Sequence, residues 1–392
     1  MASAAFESNV VEYGWRRTIV TLGVIIATLL EIVDVTIVNV ALPVIQGNVG
    51  ASIDEVTWIV TGYIIANVIV IPLTPWLQMR FGRKQYYFAS ILLFTFASVM
   101  CGLSADLNQL VFWRIVQGLG GGGLISTSQA ILRETFPLNE GGKAAGIFAM
   151  GVIVGPTIGP LLGGLITDNI SWRWVFFVNV PFGIIAMAIA FWFLRNPALP
   201  NKKLKVDVVG LLLLIIGIGS LQYVLDQGQI KDWFDDSSIQ FFSALAVAGL
   251  TAFVFWELYG TKNPIVDLHI LKYRSVSAGS LLGMVLGISL YGTLVILPQY
   301  VQNSLGFTAT LSGELIMVRA LGVMSLTPLA AALTQRGVID PRIATGIGFV
   351  LVGISNIFLA RVTVPDAEFW TFGVCLLVSG FGLAQIFVPL NL

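Results

Sequence analysis

Two acidic residues interrupt an apolar stretch near the start of the chain. Glu31 and Asp34 lie within LLEIVDVTIVNVALP, residues 29–43. Residues three apart on a helix share a face, and a carboxyl group buried beside a second acid is harder to ionise. Such a group can bind and release a proton near neutral pH, so we predict that Asp34 and Glu31 couple protons. The alternatives are an acid that fixes packing by pairing with an arginine and, for Glu31, a group that binds a cationic substrate.

A buried arginine accompanies these acids. Arg114 lies in LVFWRIVQGLGGGG, and arginine keeps its charge at any physiological pH. It therefore needs a partner, and Asp34, Glu31 and backbone carbonyls are the candidates. Its charge would favour proton release from a nearby acid, whereas a static ion pair is the alternative. The glycines at 120–123 predict close helix contact and, because no Lys-Ser/Thr follows them, not a phosphate loop.

The composition requires a lipid environment around most of the chain. Of its 392 residues, 56% are hydrophobic and 11% charged, against about 25% charged in soluble domains. In lipid each segment must satisfy its own backbone polar groups, which favours helices. We therefore predict an all-α polytopic membrane protein with twelve spans, near 17–45, 56–78, 84–104, 107–132, 143–167, 173–194, 207–226, 239–259, 276–301, 310–334, 342–362 and 369–391.

The charges of the loops predict the orientation. With the N-terminus in the cytoplasm, sixteen of the 21 lysines and arginines fall on the cytoplasmic side and three outside, as the positive-inside rule requires. The net charge of zero gives no reason to expect a nucleic-acid partner. Neither a catalytic constellation nor a metal-binding cluster stands out in the sequence, so we expect no enzyme, no metal and no cofactor.

Segments 9–12 repeat segments 1–4. The matched positions occur in the same order at nearly constant offsets: Pro43 with Pro298 (255), Pro75 with Pro328 (253), and VQGLG at 116–120 with VSGFG at 378–382 (262). Parallel repeats are typical of transporters that bind substrate between two halves.

The repeat also predicts the domain organisation. We expect a six-helix N-terminal half at 1–200, a two-helix insertion at 201–262 and a partial C-terminal half of four helices at 263–392. A complete second half would need two more helices. We therefore expect a truncated product, the alternative being a second half that works with four helices.

Further polar and small residues are candidates for the interior. Asn39, Gln117, Tyr291, Gln299 and Tyr300 are predicted to line a substrate cavity, with core packing as the alternative for the last three. Segment 5 carries a series of small residues and prolines that predicts a kinked, closely packed helix between the halves, with generic small-residue packing as the alternative: Gly155, Pro156, Gly159, Pro160, Gly163 and Gly164. In segment 10 we predict an ion pair between Arg319 and Glu314.

Four motifs resemble the major facilitator superfamily, specifically its drug:proton antiporter family with fourteen spans. They are IVDVTIVNVALP (32–43), FGRK (81–84), FWRIVQGLGGGG (112–123) and GPTIGPLLGG (155–164). The resemblance covers nearly the whole chain. It implies the major facilitator fold, with Asp34 as the functional acid, Arg114 in proton transfer and a segment 5 motif typical of antiporters rather than symporters.

The loop motif departs from the family pattern. Gly82, Arg83 and Lys84 match its end, but its usual acid falls at Met79 and its leading glycine at Pro75. The gating salt bridge attributed to that acid therefore lacks its acid here.

The resemblance implies a function and partners. It implies a proton-coupled antiporter that exports structurally diverse lipophilic compounds across the bacterial inner membrane, together with a periplasmic membrane-fusion adaptor and an outer-membrane channel. A proton-coupled nutrient symporter and a truncated membrane protein without transport activity are the alternatives. The fourteen-helix family agrees with the two helices that the repeat lacks.

Overall fold

The computed structural model describes residues 11–137, 140–196, 207–262, 264–335, 339–362 and 368–391. Throughout these ranges the regular structure is helical. The α-helices are α1 (Gly14–Val49), α2 (Ile53–Phe81), α3 (Arg83–Leu103), α4 (Leu107–Gly121), α5 (Leu124–Thr135), α6 (Gly141–Asn169), α7 (Trp174–Phe177), α8 (Asn179–Phe193), α9 (Val208–Gln227), α10 (Ser237–Phe255), α11 (Arg274–Leu305), α12 (Ala309–Gln335), α13 (Pro341–Val362) and α14 (Phe369–Asn391). The predicted all-α polytopic architecture is confirmed.

Ten helical stretches within the described residues are long and apolar enough to cross a membrane. They correspond to ten of the twelve predicted segments, with α7 and α8 together forming one stretch, Trp174–Phe193. The predicted segment at 143–167 is the single helix α6. The segment at 107–132 differs from the prediction, because it divides into α4 and α5 at Gly122 and Gly123. Glycine is the weakest helix former after proline, and four in succession interrupt the helix.

Local signals in the sequence set where the early helices begin and end. Ser52 caps α2: its hydroxyl accepts a hydrogen bond from the Glu55 backbone N–H, and the Glu55 carboxylate accepts one from the Ser52 N–H at 2.8 Å. This reciprocal arrangement is a capping box. Gly82 ends the same helix with a positive φ of 87°, a conformation that favours glycine, and α3 begins at the next residue.

The contacts group the chain into two units, which are described separately. The first comprises Met1–Thr28, Val49–Ala144 and Phe177–Ser277, and the second comprises Leu29–Asn48, Ala145–Phe176 and Ala278–Leu392. This grouping follows contacts, whereas the division at residues 200 and 262 follows the sequence repeat and stays a prediction.

The glycine-rich end of α4 packs on its neighbours in the first unit. A Cβ atom at Gly118 would lie 2.5 Å from the Tyr63 carbonyl oxygen on α2, and one at Gly120 would lie 2.6 Å from the Phe94 backbone nitrogen on α3. Real Cβ atoms do not approach backbone this closely. The close helix contact that the glycine run predicts is therefore observed, in the way that small residues allow between membrane helices.

The second unit repeats one of these contacts. Gly380 on α14 is the repeat partner of Gly118, and Arg319 on α12 is the repeat partner of Ala66 on α2. A Cβ atom at Gly118 would lie 2.8 Å from the Ala66 Cβ, and one at Gly380 would overlap the Arg319 carbonyl oxygen. The repeat read from the sequence thus corresponds to the same close contact in both units.

The predicted two-helix insertion forms a helix pair. The Cα of Gly217 on α9 lies 3.1 Å from the Cβ position of Gly249 on α10. At the end of this pair the Trp256 indole N–H donates to the Asp207 carboxylate at 2.8 Å. The same carboxylate accepts a hydrogen bond from the Gly210 N–H, which caps α9.

The glycine contacts predict how substitutions affect stability. Gly120→Ala should lower the free energy of unfolding by about 1–3 kcal/mol, because the added methyl group overlaps the α3 backbone. Gly283→Ala on α11 should be neutral or stabilising by up to about 1 kcal/mol, because nothing lies within 4 Å of its Cβ position. Thermal denaturation of the two purified variants measures the difference. Equal midpoints would contradict the close α4–α3 contact.

Candidate functional site

Both predicted proton-coupling acids are buried in α1. Asp34 is 0% exposed and Glu31 is 6% exposed. They lie among apolar residues such as Leu30 and Ile37, which are also buried. Both acids therefore lie inside the spanning part of α1, where the predicted proton exchange would take place, and that role stays a prediction.

The small residues of α6 pack on this part of α1, within the second unit. Cβ atoms at Gly155 and Gly159 would overlap the side chains of Ile32 and Thr36, and one at Gly163 would lie 2.7 Å from the Ile37 carbonyl oxygen. Tight packing of the segment 5 motif is thus observed, while its role as an antiporter motif stays a prediction.

The same motif contacts α12. Pro160 is buried and Pro156 is half-buried. A Cβ atom at Gly164 would overlap the Ala309 carbonyl oxygen, and one at Gly313 would overlap that of Pro160. Helix α6 therefore lies between α1 and α12 with backbone almost touching backbone on both sides.

The acids face away from α6. At about 100° per residue, Asp34 lies about 160° around α1 from Thr36, which meets Gly159. The packing of α6 thus holds one side of α1 and leaves the acid-bearing side for other groups.

Arg114 is fully buried and held by three kinds of contact in the first unit. Its Nε donates to the Ile59 carbonyl at 3.0 Å and its Nη1 donates to Gln117 Oε1 at 2.8 Å. The guanidinium carbon lies 4.2 Å from the centre of the Tyr63 ring, which is within range of a cation–π interaction. Of the partners predicted for Arg114, the structure therefore shows a backbone carbonyl.

Gln117 is predicted to line a cavity, and in the structure it contacts Arg114. It is 0% exposed, and its Oε1 accepts from Arg114 and also from the Cys101 thiol at 3.6 Å. It orients the arginine. Tyr63 and the Ile59 carbonyl could not be predicted from the sequence, because only the packing of α2 on α4 brings them to Arg114.

The loop residues after α2 make a polar network in the first unit. Arg83 donates to Gln78 Oε1 at 3.1 Å and forms an ion pair with Glu134 near the end of α5. Gln78 in turn donates to Thr127 Oγ1 at 2.9 Å. Arg83 thus has an acid partner although the motif position at Met79 lacks one, and nothing in the sequence predicted this role of Glu134.

The other two residues of this loop also have defined places. Gly82 takes the positive φ described above. The Lys84 backbone N–H donates to Asn196 Oδ1 at 2.9 Å, and its ammonium group lies 5.5 Å from the centre of the Phe191 ring. These contacts tie the start of α3 to the end of α8, and a gating role for the loop stays a prediction.

The predicted cavity residues of the second unit have different surroundings. Asn39 is 2% exposed, and neither polar atom of its amide has a partner among the described residues. Gln299 is half-buried and its Nε2 is likewise unpartnered there. Tyr300 packs in an apolar cluster, 6.4 Å from the Phe372 ring, which is the packing alternative. The side chain of Tyr291 lies outside the described residues.

The predicted ion pair between Arg319 and Glu314 is wrong. Glu314 is exposed, whereas Arg319 is 4% exposed, and the described residues include no carboxylate within 4 Å of its guanidinium. Five residues correspond to about 140° around a helix, so the two side chains leave α12 on different faces. Within the described part of the chain, no group of three or more His, Cys, Asp or Glu side chains is placed to hold a metal ion.

Comparison with known proteins identifies the family. The model of the Major Facilitator Superfamily matches residues 24–392. The chain belongs to the major facilitator superfamily. This is a family of transporters, and the resemblance drawn from the four motifs is confirmed.

Individual relatives define the branch of the superfamily. The multidrug export protein EmrB of Escherichia coli K12 is 36% identical over 378 residues, which are 96% of this chain and 73% of EmrB. The fatty acid resistance protein FarB of Neisseria gonorrhoeae is 36% identical over 382 residues, or 95% of this chain and 73% of FarB. The chain is therefore an EmrB-like member of the superfamily.

Solved structures confirm the fold. The D-xylose–proton symporter matches 95% of this chain and 81% of its own length with a TM-score of 0.61 at 14% identity. A bacterial homologue of the human lysosomal transporter Spinster, inward-facing and unoccupied, matches 96% of this chain and 76% of its own length with a TM-score of 0.58 at 18% identity.

The contacts of Arg114 predict an order of stability among variants. Arg114→Lys should lower the free energy of unfolding by about 1–3 kcal/mol, because an ammonium group lacks the planar fork with which the guanidinium reaches both the Ile59 carbonyl and Gln117, and a buried acceptor is left unpaired. Tyr63→Leu should lose about 0.5–2 kcal/mol of cation–π stabilisation. Tyr63→Phe, which keeps the ring, should lose less than Tyr63→Leu. Thermal denaturation ranks the three, and equal losses for the two Tyr63 variants would refute a role for the ring.

Proposed function

We propose that this major facilitator protein is a multidrug efflux transporter that exchanges protons for structurally diverse toxic compounds across the bacterial inner membrane. Its relatives EmrB and EmrY of Escherichia coli K12 are named as multidrug export and multidrug resistance proteins, and FarB is named for fatty acid resistance. These names support export as the direction of transport, and lipophilic compounds as the substrates.

The complete burial of Asp34 is the observation on which the proton coupling rests. An ionised carboxylate within a membrane helix costs about 2.5–3.5 kcal/mol on insertion scales. Protonation removes that penalty while the site is closed to water, and ionisation becomes favourable when the site opens to one side. Asp34 therefore binds a proton from outside and releases it to the cytoplasm, with Glu31 beside it able to share the proton or bind a cationic substrate.

The packing of α6 on α1 supports the required movement. Gly155 and Gly159 accommodate the Ile32 and Thr36 side chains, so α6 and the acid-bearing segment of α1 can move together as one closely packed pair. Exchange follows when substrate and proton compete for the same opened site. Alternating access of this kind is typical of transporters built from parallel repeats.

The proton gradient supplies the energy. One elementary charge that crosses a potential of 100 mV contributes about 2.3 kcal/mol. A single proton per cycle at that potential supports roughly a 50-fold gradient of a neutral substrate, since 1.4 kcal/mol corresponds to a factor of ten.

The proposed setting follows from orientation and resemblance. The N-terminus lies in the cytoplasm, as the loop charges predict. A periplasmic adaptor of the membrane-fusion type and an outer-membrane channel are the proposed partners, which would carry exported compounds past the second membrane.

Proteoliposomes with an imposed pH gradient test the coupling. Addition of a lipophilic cationic dye should trigger proton flux from vesicles that contain the unmodified chain. Asp34→Asn, which keeps the shape but cannot ionise, should reduce this dye-dependent flux at least tenfold although the protein still inserts. The flux is followed with a pH-sensitive fluorophore trapped in the vesicles.

A matched variant makes the result specific. Asp54→Asn removes an exposed acid in the first turn of α2 and should leave the flux unchanged. Normal dye-dependent flux in Asp34→Asn would reject the coupling role of that acid. Dye movement in the same direction as the protons would reject antiport in favour of symport.

A further inference from the structure

Arg319 is a buried cation without a counter-charge among the described residues. It lies ten residues after the start of α12, about 15 Å along the helix and thus near the middle of a hydrocarbon layer about 30 Å thick. Its Nη1 donates to the Leu290 carbonyl at 3.4 Å, and its Nε and Nη2 have no partner in the described part of the chain.

Such a group is unfavourable where the described residues alone surround it. Arginine does not lose its proton under physiological conditions, and enclosing an ion away from water costs several kcal/mol unless a partner compensates it. One long hydrogen bond to a carbonyl does not balance that loss. Arg114 provides the contrast within the same chain, since the Ile59 carbonyl, Gln117 and Tyr63 surround it.

Packing does not require an arginine at this position. The repeat partner of Arg319 is Ala66, and both residues meet the equivalent glycine of a neighbouring helix, Gly118 in the first unit and Gly380 in the second. Alanine satisfies that close contact in the first unit. The long charged side chain at 319 is therefore an addition to the repeat rather than part of its packing.

Other unsatisfied polar groups lie on the elements next to Arg319. Ser312 is seven residues earlier, about two helical turns, and so on the same face of α12. Ser379 precedes Gly380, the residue that contacts the Arg319 carbonyl. Both serines are 1% exposed, and their hydroxyl groups have no partner among the described residues.

Apolar residues pack around the residue whose carbonyl accepts from Arg319. Leu290, whose carbonyl accepts from Arg319, packs against two apolar clusters of the second unit. One contains Leu286, Val323, Val352, Leu383, Ala384 and Ile386, and the other contains Val40, Leu294, Ala309 and Ile316. A ligand at Arg319 would therefore need an anionic end and an apolar body.

We propose that Arg319 binds the carboxylate, or a similar oxyanion, of an amphipathic substrate during transport. The planar guanidinium pairs with a carboxylate through two parallel hydrogen bonds, and its Nε and Nη2, which have no partner among the described residues, are the two donors available for that pairing. The apolar body then lies along the clusters around Leu290. This inference rests on the proposed transport function and assigns the recognition of anionic substrates to Arg319.

Binding to the purified full-length chain in phosphatidylcholine nanodiscs tests the proposal. The probes are octanoate and 1-naphthylacetate, each paired with its neutral amide. The unmodified chain should bind each carboxylate at least tenfold more tightly than its amide. Arg319→Gln should abolish that preference, and Arg319→Lys should keep part of it. Arg361→Gln, at an exposed arginine in the last turn of α13, should keep all of it.

Stability without ligand separates a binding role from a structural one. Since Arg319 has no counter-charge among the described residues, Arg319→Gln should unfold at the same temperature as the unmodified chain or higher. Octanoate should raise the unfolding temperature of the unmodified chain and of Arg361→Gln, but not of Arg319→Gln. An Arg319→Gln chain that unfolds at a clearly lower temperature, or that retains the preference for carboxylates, would overturn the proposal.

Two further arms identify the source of the anion and separate this proposal from the transport function. If phosphatidylglycerol in the nanodiscs removes the carboxylate preference of the unmodified chain, a lipid phosphate occupies the site and the substrate proposal fails. In proteoliposomes Arg319→Gln should still exchange protons for a cationic dye and lose exchange for octanoate. Absence of proton exchange for every compound, with the binding preference intact, would reject the transport function and leave the anion site standing.

Discussion

A charged side chain in the hydrocarbon layer must be enclosed by protein, and this constraint organises the structure. Four charged residues well inside the apolar helices, Glu31, Asp34, Arg114 and Arg319, are each less than 7% exposed, whereas Glu314 near the start of α12 is exposed. Close helix approach accompanies the two arginines, since α4 packs on α2 and α14 packs on α12, whereas α6 packs on the side of α1 that faces away from the acids. Small residues thus help to bury the two arginines, since they bring neighbouring helices close enough to exclude lipid.

The two buried arginines show different uses of that enclosure. Arg114 has a carbonyl, an amide oxygen and an aromatic ring around it, so its charge is balanced within the first unit. Arg319 has one long hydrogen bond, and the described residues leave the rest of its guanidinium unsatisfied. A balanced charge stabilises one arrangement of helices. A charge without such partners lowers the stability of the free protein, and a bound ligand of opposite charge offsets that loss. Binding sites often combine lower stability with function in this way.

The sequence predicted what depends on composition and period, and it missed what depends on the rotation of helices. The apolar segments, the repeat and the burial of Asp34 follow from local pattern. The break at Gly122 and Gly123 was within reach, because the glycine run was visible. Tyr63 beside Arg114 could not be foreseen, since it requires knowing which face of α2 meets α4. The pairing of Arg319 with Glu314 failed because their five-residue spacing does not match the helical period.

The two repeats carry different charged residues at matching positions. At the offset of 255, the partner of Asp34 is Ser289, just as Ala66 is the partner of Arg319. Each repeat therefore carries a charge that the other lacks, and the fold requires neither. A proton-binding acid in one repeat and an anion-binding arginine in the other affect the net charge that crosses the membrane in each cycle. A cation that leaves as one proton enters moves no net charge, whereas a carboxylate that leaves moves two elementary charges in the same electrical direction, or about 4.6 kcal/mol per 100 mV. A transporter with an acid for protons and an arginine for anions can thus expel carboxylates against steeper gradients than cations at the same membrane potential.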